Sequence, residues 1–169
     1  MIALLEPVSA SLGTTNMLVP LVLSDLSDEV ARKRTRDGEG PSITWEMGHL
    51  LDYRCQMLGL FGVETETKRR FATAFATTGA TDGEGHPTVA EVRQTWEALQ
   101  AVLQTALERA AEASIRKTSG QEGPHGEQAV LDGLVFFTWH EAYHMRALGA
   151  IRKTLGLPGP AELVMAQRG

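Results

Sequence analysis

The sequence has a single cysteine, Cys55, so the chain cannot form an internal disulfide bond. Cytoplasmic proteins keep their thiols reduced, and such sparing use of cysteine fits that compartment. We therefore expect a cytoplasmic protein in which Cys55 is a buried structural thiol rather than a nucleophile.

Long apolar runs are also missing. No stretch approaches the roughly 18 residues that a membrane-spanning helix needs. The N-terminal segment lacks the basic region of a secretory signal peptide, and we expect no such peptide. Both absences predict a protein without a membrane partner.

The chain has no excess of positive charge. It carries 16 Lys and Arg against 21 Asp and Glu, which gives a formal net charge of −5 at pH 7. A nucleic-acid-binding surface needs clustered cations that displace counterions from phosphates. The basic residues 32–34 are followed by Asp37 and Glu39, which indicates a solvated helix end. Nucleic acid is therefore not an expected partner.

The main feature of the sequence is a set of apolar residues that recur with the period of an α-helix. The 169 residues, 43% of them hydrophobic, fit one globular domain over 1–169. No segment indicates a strand. Four helices are predicted, at about 9–34, 42–62, 88–114 and 127–155. Helices with one apolar stripe each bury those stripes best against one another, which predicts an all-α four-helix bundle.

Local signals predict how the helices begin and break. Ser42 is a suitable N-cap, because its hydroxyl can accept a hydrogen bond from a backbone N–H of the first turn. Thr88 and Glu91 form a capping box at the start of the third helix. Pro20 lacks a backbone N–H and predicts a kink or a split in the first helix.

The remaining segments are rich in glycine. Residues 77–87 and 119–126 predict loops, and residues 68–76 predict a short helical turn. Gly48 and Gly59 lie in the second helix, where glycine lowers helix propensity by up to about 1 kcal/mol relative to alanine. Close packing against a neighbouring helix would explain both.

The strongest chemical signal is a pair of histidines in the fourth helix, His140 and His144. Residues four apart lie one helical turn above each other, so both imidazoles can bind the same metal ion. Their face of the helix is the apolar one, and buried imidazoles need polar partners. A shared ion satisfies both rings, as would separate hydrogen bonds within the core.

His49, in the second helix, is the natural third ligand. It shares a side of that helix with Trp45 and Tyr53, and this mixed aromatic and polar face could line a pocket beside the fourth helix. On spacing alone, a lone helical histidine is more often an ordinary polar residue.

Residues 140–144 also fit the zinc-protease pattern H-E-x-x-H, in which Glu141 would be the general base. A zinc protease further needs a strand along the substrate cleft and another downstream ligand. Glu162 is the sole Asp, Glu or His after His144, so a metalloprotease is the weakest alternative.

Taken together, these residues resemble the DinB-like superfamily of damage-inducible bacterial proteins. That family carries a Trp-x-x-Gly-His-Leu segment at the start of its second helix, matched here by residues 45–50. Its fourth helix carries a segment similar to 140–144, and the resemblance extends over about 9–159. Many relatives have Gly-Gln where this chain has Arg146 and Ala147, which alters the helix surface near the site.

The resemblance implies an up-down-down-up bundle, often a homodimer, with one divalent metal ion bound by His49, His140 and His144. The candidate ions for this site are nickel, zinc, iron and manganese. Characterised relatives include metal-dependent transferases and isomerases that use low-molecular-weight thiols such as bacillithiol or mycothiol. The resemblance therefore implies a thiol-linked transferase acting on a small molecule. The alternative is a non-catalytic metal-binding stress-response dimer.

Four further residues are expected near the site: Trp45, Tyr53, Glu141 and Tyr143. Glu141 and Tyr143 neighbour the fourth-helix histidines in sequence and could orient a ligand histidine or a substrate. Glu141 lies about 100° from His140 around the helix, which argues against a direct role.

Overall fold

A computed structural model describes residues 1–67, 75, 86–123 and 126–167. The elements in these ranges are α1 (Glu6–Val22), α2 (Asp28–Arg32), α3 (Ile43–Gly59), α4 (Val89–Arg109), α5 (Glu112–Ile115), β1 (Thr118–Gly123), β2 (Gly126–Ala129), α6 (Val130–Thr154) and α7 (Pro160–Ala166). Short 3-10 turns, Ala3–Leu5 and Arg36–Gly38, precede α1 and follow α2. The described residues are mostly helical, which is consistent with the predicted all-α class.

The four long helices, α1, α3, α4 and α6, pack against one another in a closed cycle. α3 contacts α4 and α6, and α1 contacts the same two helices from the other side. This set of contacts is compatible with the predicted bundle, while the up-down-down-up order stays a prediction. None of the helices in the described ranges has the length and apolar character needed to cross a lipid bilayer.

The predicted starts of the second and third helices agree with the structure, whereas the fourth helix begins at Val130 rather than near residue 127. The Ser42 hydroxyl accepts a hydrogen bond from the backbone N–H of Trp45, 3.1 Å away. Thr88 and Glu91 form both bonds of the capping box. Pro20 lies in the last turn of α1, which ends two residues later, so the predicted helix over 9–34 is divided into α1 and α2.

A β-hairpin occupies the segment 119–126, and the prediction of a loop there is wrong. β1 and β2 are antiparallel, with Glu122 opposite Glu127 and Gly123 opposite Gly126. These strands consist almost entirely of polar residues and glycine, without the alternating β-branched or aromatic residues that indicate a strand. The hairpin therefore rests on backbone hydrogen bonds that the side-chain pattern does not reveal.

Two other predicted segments, 68–76 and 77–87, lie outside the described residues except at positions 75 and 86–87.

The core is apolar and contains residues from each long helix. Its members include Leu12, Val19, Leu51, Leu58, Trp96, Leu103, Leu134 and Leu148. Cys55 is 1% exposed, which confirms that its thiol is buried.

A buried ion pair crosses the centre of this core. The Arg54 guanidinium on α3 donates to both carboxylate oxygens of Glu141 on α6, at 2.7 and 3.1 Å. Thr15 on α1 donates to the same carboxylate at 2.6 Å. Arg54 also lies over the indole of Trp96 on α4, 3.4 Å from the ring centroid. Each long helix therefore contributes one residue to this network.

Replacing Glu141 by alanine tests how strongly the network holds the helices. We expect Glu141→Ala to lower the free energy of unfolding by about 3–5 kcal/mol, because it leaves the buried Arg54 charge unpaired. Glu112→Ala is the matched control, since its ion pair with Arg116 is more than half exposed and should contribute at most about 1 kcal/mol. Urea denaturation measures both, and equal losses would contradict a special role for the buried pair.

Candidate metal centre

α3 and α6 bring His49, His140 and His144 together. Nε2 of His140 lies 3.4 Å from Nε2 of His49 and 3.2 Å from Nε2 of His144. One nitrogen from each ring lies within 4.8 Å of the others, and each residue is only 8% exposed. The three histidines singled out from the sequence thus form one buried cluster that could hold a metal ion.

Two of the three nitrogen separations match those around a tetrahedral ion. With metal–nitrogen bonds of about 2.0–2.1 Å, a tetrahedral angle places two ligand nitrogens about 3.3 Å apart. The two Nε2 separations, 3.2 and 3.4 Å, lie on either side of this value. The ring planes are tilted against one another by 47–54°, so the rings approach through their nitrogen edges rather than by stacking.

The outer nitrogens of two rings are held by acceptors. Nδ1 of His49 lies 2.9 Å from the backbone oxygen of Phe75, and Nδ1 of His144 lies 2.5 Å from a carboxylate oxygen of Glu46. A carbonyl and a carboxylate accept, so each Nδ1 carries the proton and donates. Both Nε2 lone pairs then face the centre of the cluster, as in the carboxylate–histidine arrangement around metal ions.

His140 has the least favourable environment of the three without an ion. Its Nδ1 is buried and has no hydrogen-bond partner. Burial, reinforced by the neighbouring His144 and His49, lowers the pKa of His140 to about 3. Burial also lowers the pKa of His49. Both rings are therefore neutral at pH 7 and can bind a metal ion without losing a proton.

Aromatic rings enclose the histidines on two sides. Tyr53 stacks on His140 with centroids 3.8 Å apart, and Trp45 stacks on His49 at 5.1 Å. Tyr143 meets the ring of His144 edge-on at 5.2 Å and is 57% exposed. Trp45, Tyr53 and Tyr143 thus lie beside the cluster, where the sequence placed them.

The structure places Glu141 elsewhere. Its carboxylate is 1% exposed and is bonded to Arg54 and Thr15, on the side of α6 that faces the core. It orients no ligand histidine, because it lies about 100° around the helix from His140. Glu46 contacts His144 instead, a role that the sequence prediction missed. The available signal was a carboxylate one helical turn before His49, on a helix with few other charges.

Gly48 explains how the carbonyl of Phe75 reaches His49. A Cβ at position 48 would lie 2.4–2.6 Å from the Phe75 ring, which is closer than atoms can approach. Glycine at this position therefore lets the buried Phe75 side chain lie flat against α3. Phe75 is itself a helical residue, so the predicted close packing against a helix is confirmed at Gly48. At Gly59 no atom of another described segment lies within 4 Å of such a Cβ, so the prediction of close packing there is wrong.

Alanine at the two glycines makes a matched test. We expect Gly48→Ala to lower the free energy of unfolding by about 1–3 kcal/mol, because the buried Phe75 ring would have to move to admit the new Cβ. Gly59→Ala should be neutral or stabilising by up to about 1 kcal/mol, since it gains helix propensity without a clash. Urea midpoints of the two variants distinguish these outcomes. A stabilising Gly48→Ala would show that Phe75 does not pack there.

The sequence matches a known family over most of its length. The model of the DinB superfamily matches residues 12–148. This range contains all three histidines together with Glu46 and Phe75. No curated protein matches the chain.

Proposed function

The chain belongs to the DinB superfamily, and we propose that it binds one divalent metal ion through His49, His140 and His144. The convergence of their nitrogens, at 3.2 and 3.4 Å, carries this proposal. Nickel, zinc, iron and manganese are the candidate ions. Zinc is a suitable first ion to test, because it favours tetrahedral coordination by imidazole.

We further propose that the protein is a metal-dependent enzyme of the thiol-linked transferase type. Its small-molecule partner would be a low-molecular-weight thiol such as bacillithiol or mycothiol. An ion with three protein ligands keeps coordination positions free, and it lowers the pKa of a thiol bound at one of them. In the described part of the chain, the three histidines are the only group of His, Cys, Asp and Glu placed to hold an ion.

The chain's own residues would fix the ligand geometry. The Glu46 carboxylate accepts a hydrogen bond from Nδ1–H of His144 and makes that imidazole a stronger electron-pair donor through Nε2. The Phe75 carbonyl holds the ring of His49 in the same way. Tyr53 and Trp45 cover one face of His140 and of His49, which limits the movement of both rings.

Exposed aromatic rings next to the histidines could receive a substrate. Tyr143 touches the ring of His144 and stacks on Trp139 with centroids 5.9 Å apart. These two side chains are 57% and 61% exposed. They offer a flat apolar surface at the edge of the cluster, suited to the carbon skeleton of an electrophile.

The metalloprotease alternative finds no support at this site. A general base needs a carboxylate that is free to take a proton from water. Both oxygens of Glu141 accept hydrogen bonds from Arg54, and one also accepts from Thr15.

We also propose, from the family resemblance, that the protein is a single-domain homodimer in the cytoplasm.

Conjugation of a thiol with monochlorobimane tests the proposal. In this reaction the thiol sulfur forms a bond to carbon, chloride leaves, and the thiol proton passes to solvent. We expect zinc- or nickel-loaded protein to form the fluorescent thioether faster than buffer does, with at least one of bacillithiol, mycothiol and glutathione. His144→Ala should lose the ion and return the rate to the buffer value. Glu97→Ala, an exposed change on α4, is the control that should keep the full rate.

Two outcomes would contradict the proposal. Tight metal binding with strong thermal stabilisation, but no binding or conjugation of any thiol, would favour the non-catalytic metal-binding protein. Purified protein that retains no divalent ion after metal loading and gel filtration would overturn the metal site itself.

A further inference from the structure

A cavity of about 640 Å³ lies between the C-terminal ends of α3 and α4, α5, and the start of β1 and α6. It shares no lining residue with the histidine cluster. Leu60, which lines the cavity, lies about 16 Å from His49 in the direction of the α3 axis, at roughly 1.5 Å per residue. The proposed metal chemistry therefore gives this cavity no role.

The wall of the cavity is mostly apolar. Eight of its thirteen lining residues carry apolar side chains. Ile115 and Val130 form a buried floor, and Leu60, Val63 and Ala106 are half-buried around it. The volume falls within the range of about 300–1,000 Å³ that is usual for small-molecule sites. The body of a ligand that fits this cavity is therefore apolar.

The charged residues at the rim are both cations. Arg109 and Lys117 line the cavity, and none of the described residues that line it is acidic. Neither has an ion-pair partner in the part of the chain that the structure covers. Glu112, the acid between them in sequence, is paired with Arg116. A ligand with one negative group would meet two cations without an ion-pair partner here.

From the apolar wall and the cationic rim, we propose that this cavity binds an amphipathic carboxylate. Its hydrocarbon chain would lie against Ile115 and Val130, and its carboxylate would lie between Arg109 and Lys117. Transfer of a hydrocarbon chain from water into such a cavity is favourable in free energy. An exposed Arg or Lys adds a modest electrostatic contribution and sets the preference for an anion.

Calorimetric titration of the full chain with decanoate tests this proposal. We expect one saturable site, and weaker binding of the uncharged decanol and the cationic decyltrimethylammonium. The double variant Arg109→Gln/Lys117→Gln should weaken decanoate binding by about tenfold, because it removes both rim charges. The control Lys33→Gln/Lys153→Gln removes two exposed charges that are paired elsewhere and should leave the affinity unchanged.

Two further variants separate this site from the histidine cluster. Ala106→Trp fills the cavity and should abolish decanoate binding, with its thermal melt recorded to show that it folds. His144→Ala should bind decanoate as the wild type does. Equal affinity for decanol and decanoate would overturn the proposal, as would an unaffected double variant or equal weakening in its control. Loss of decanoate binding in His144→Ala would place the ligand at the histidines instead.

Discussion

The ion pair between Arg54 and Glu141 fixes how α3 lies against α6, and the candidate metal centre depends on that placement. Arg54 follows His49 by little more than one turn of α3, and Glu141 is next to His140 on α6. Sliding one helix past the other by a turn, about 5.4 Å, would separate two buried charges. Because an unpaired buried charge costs several kcal/mol, the register that pairs Arg54 with Glu141 also brings the histidines together.

The need to pair buried polar groups also explains how so many of them lie inside a small core. Each buried polar group needs a partner, and most of those near the histidines find one in the chain. Glu46 accepts a hydrogen bond from His144, and the carbonyl of Phe75 accepts one from His49. Among the imidazole nitrogens, Nδ1 of His140 has no hydrogen-bond partner, and the three Nε2 atoms face one another. A divalent ion satisfies all three at once, which a single shared proton cannot do.

The sequence predicts those features that depend on near neighbours along the chain. Helical periods, the Ser42 cap and the Thr88 capping box are local, and so is the facing pair His140 and His144. Linking His49 to that pair needed the family resemblance, because a lone histidine carries no information about a partner helix. The fold class and the three clustered histidines could thus be predicted.

The features that sequence reasoning missed depend on contacts between distant segments. Glu46 lies 98 residues before the histidine it contacts, and only the packing of α3 on α6 reveals the pair. Glu141 stands next to His140 in sequence yet binds Arg54, because a step of one residue rotates a side chain by about 100°. The hairpin was missed because its strands lack the side-chain alternation that indicates a sheet.

X-ray absorption spectroscopy of the zinc-loaded protein tests the metal centre most directly. Three histidine ligands predict a first shell with three imidazole nitrogens at about 2.0–2.1 Å and one further light atom. His49→Ala should leave two imidazoles. A wild-type spectrum with fewer than three imidazoles, or one that His49→Ala does not change, would contradict a shared ion between α3 and α6.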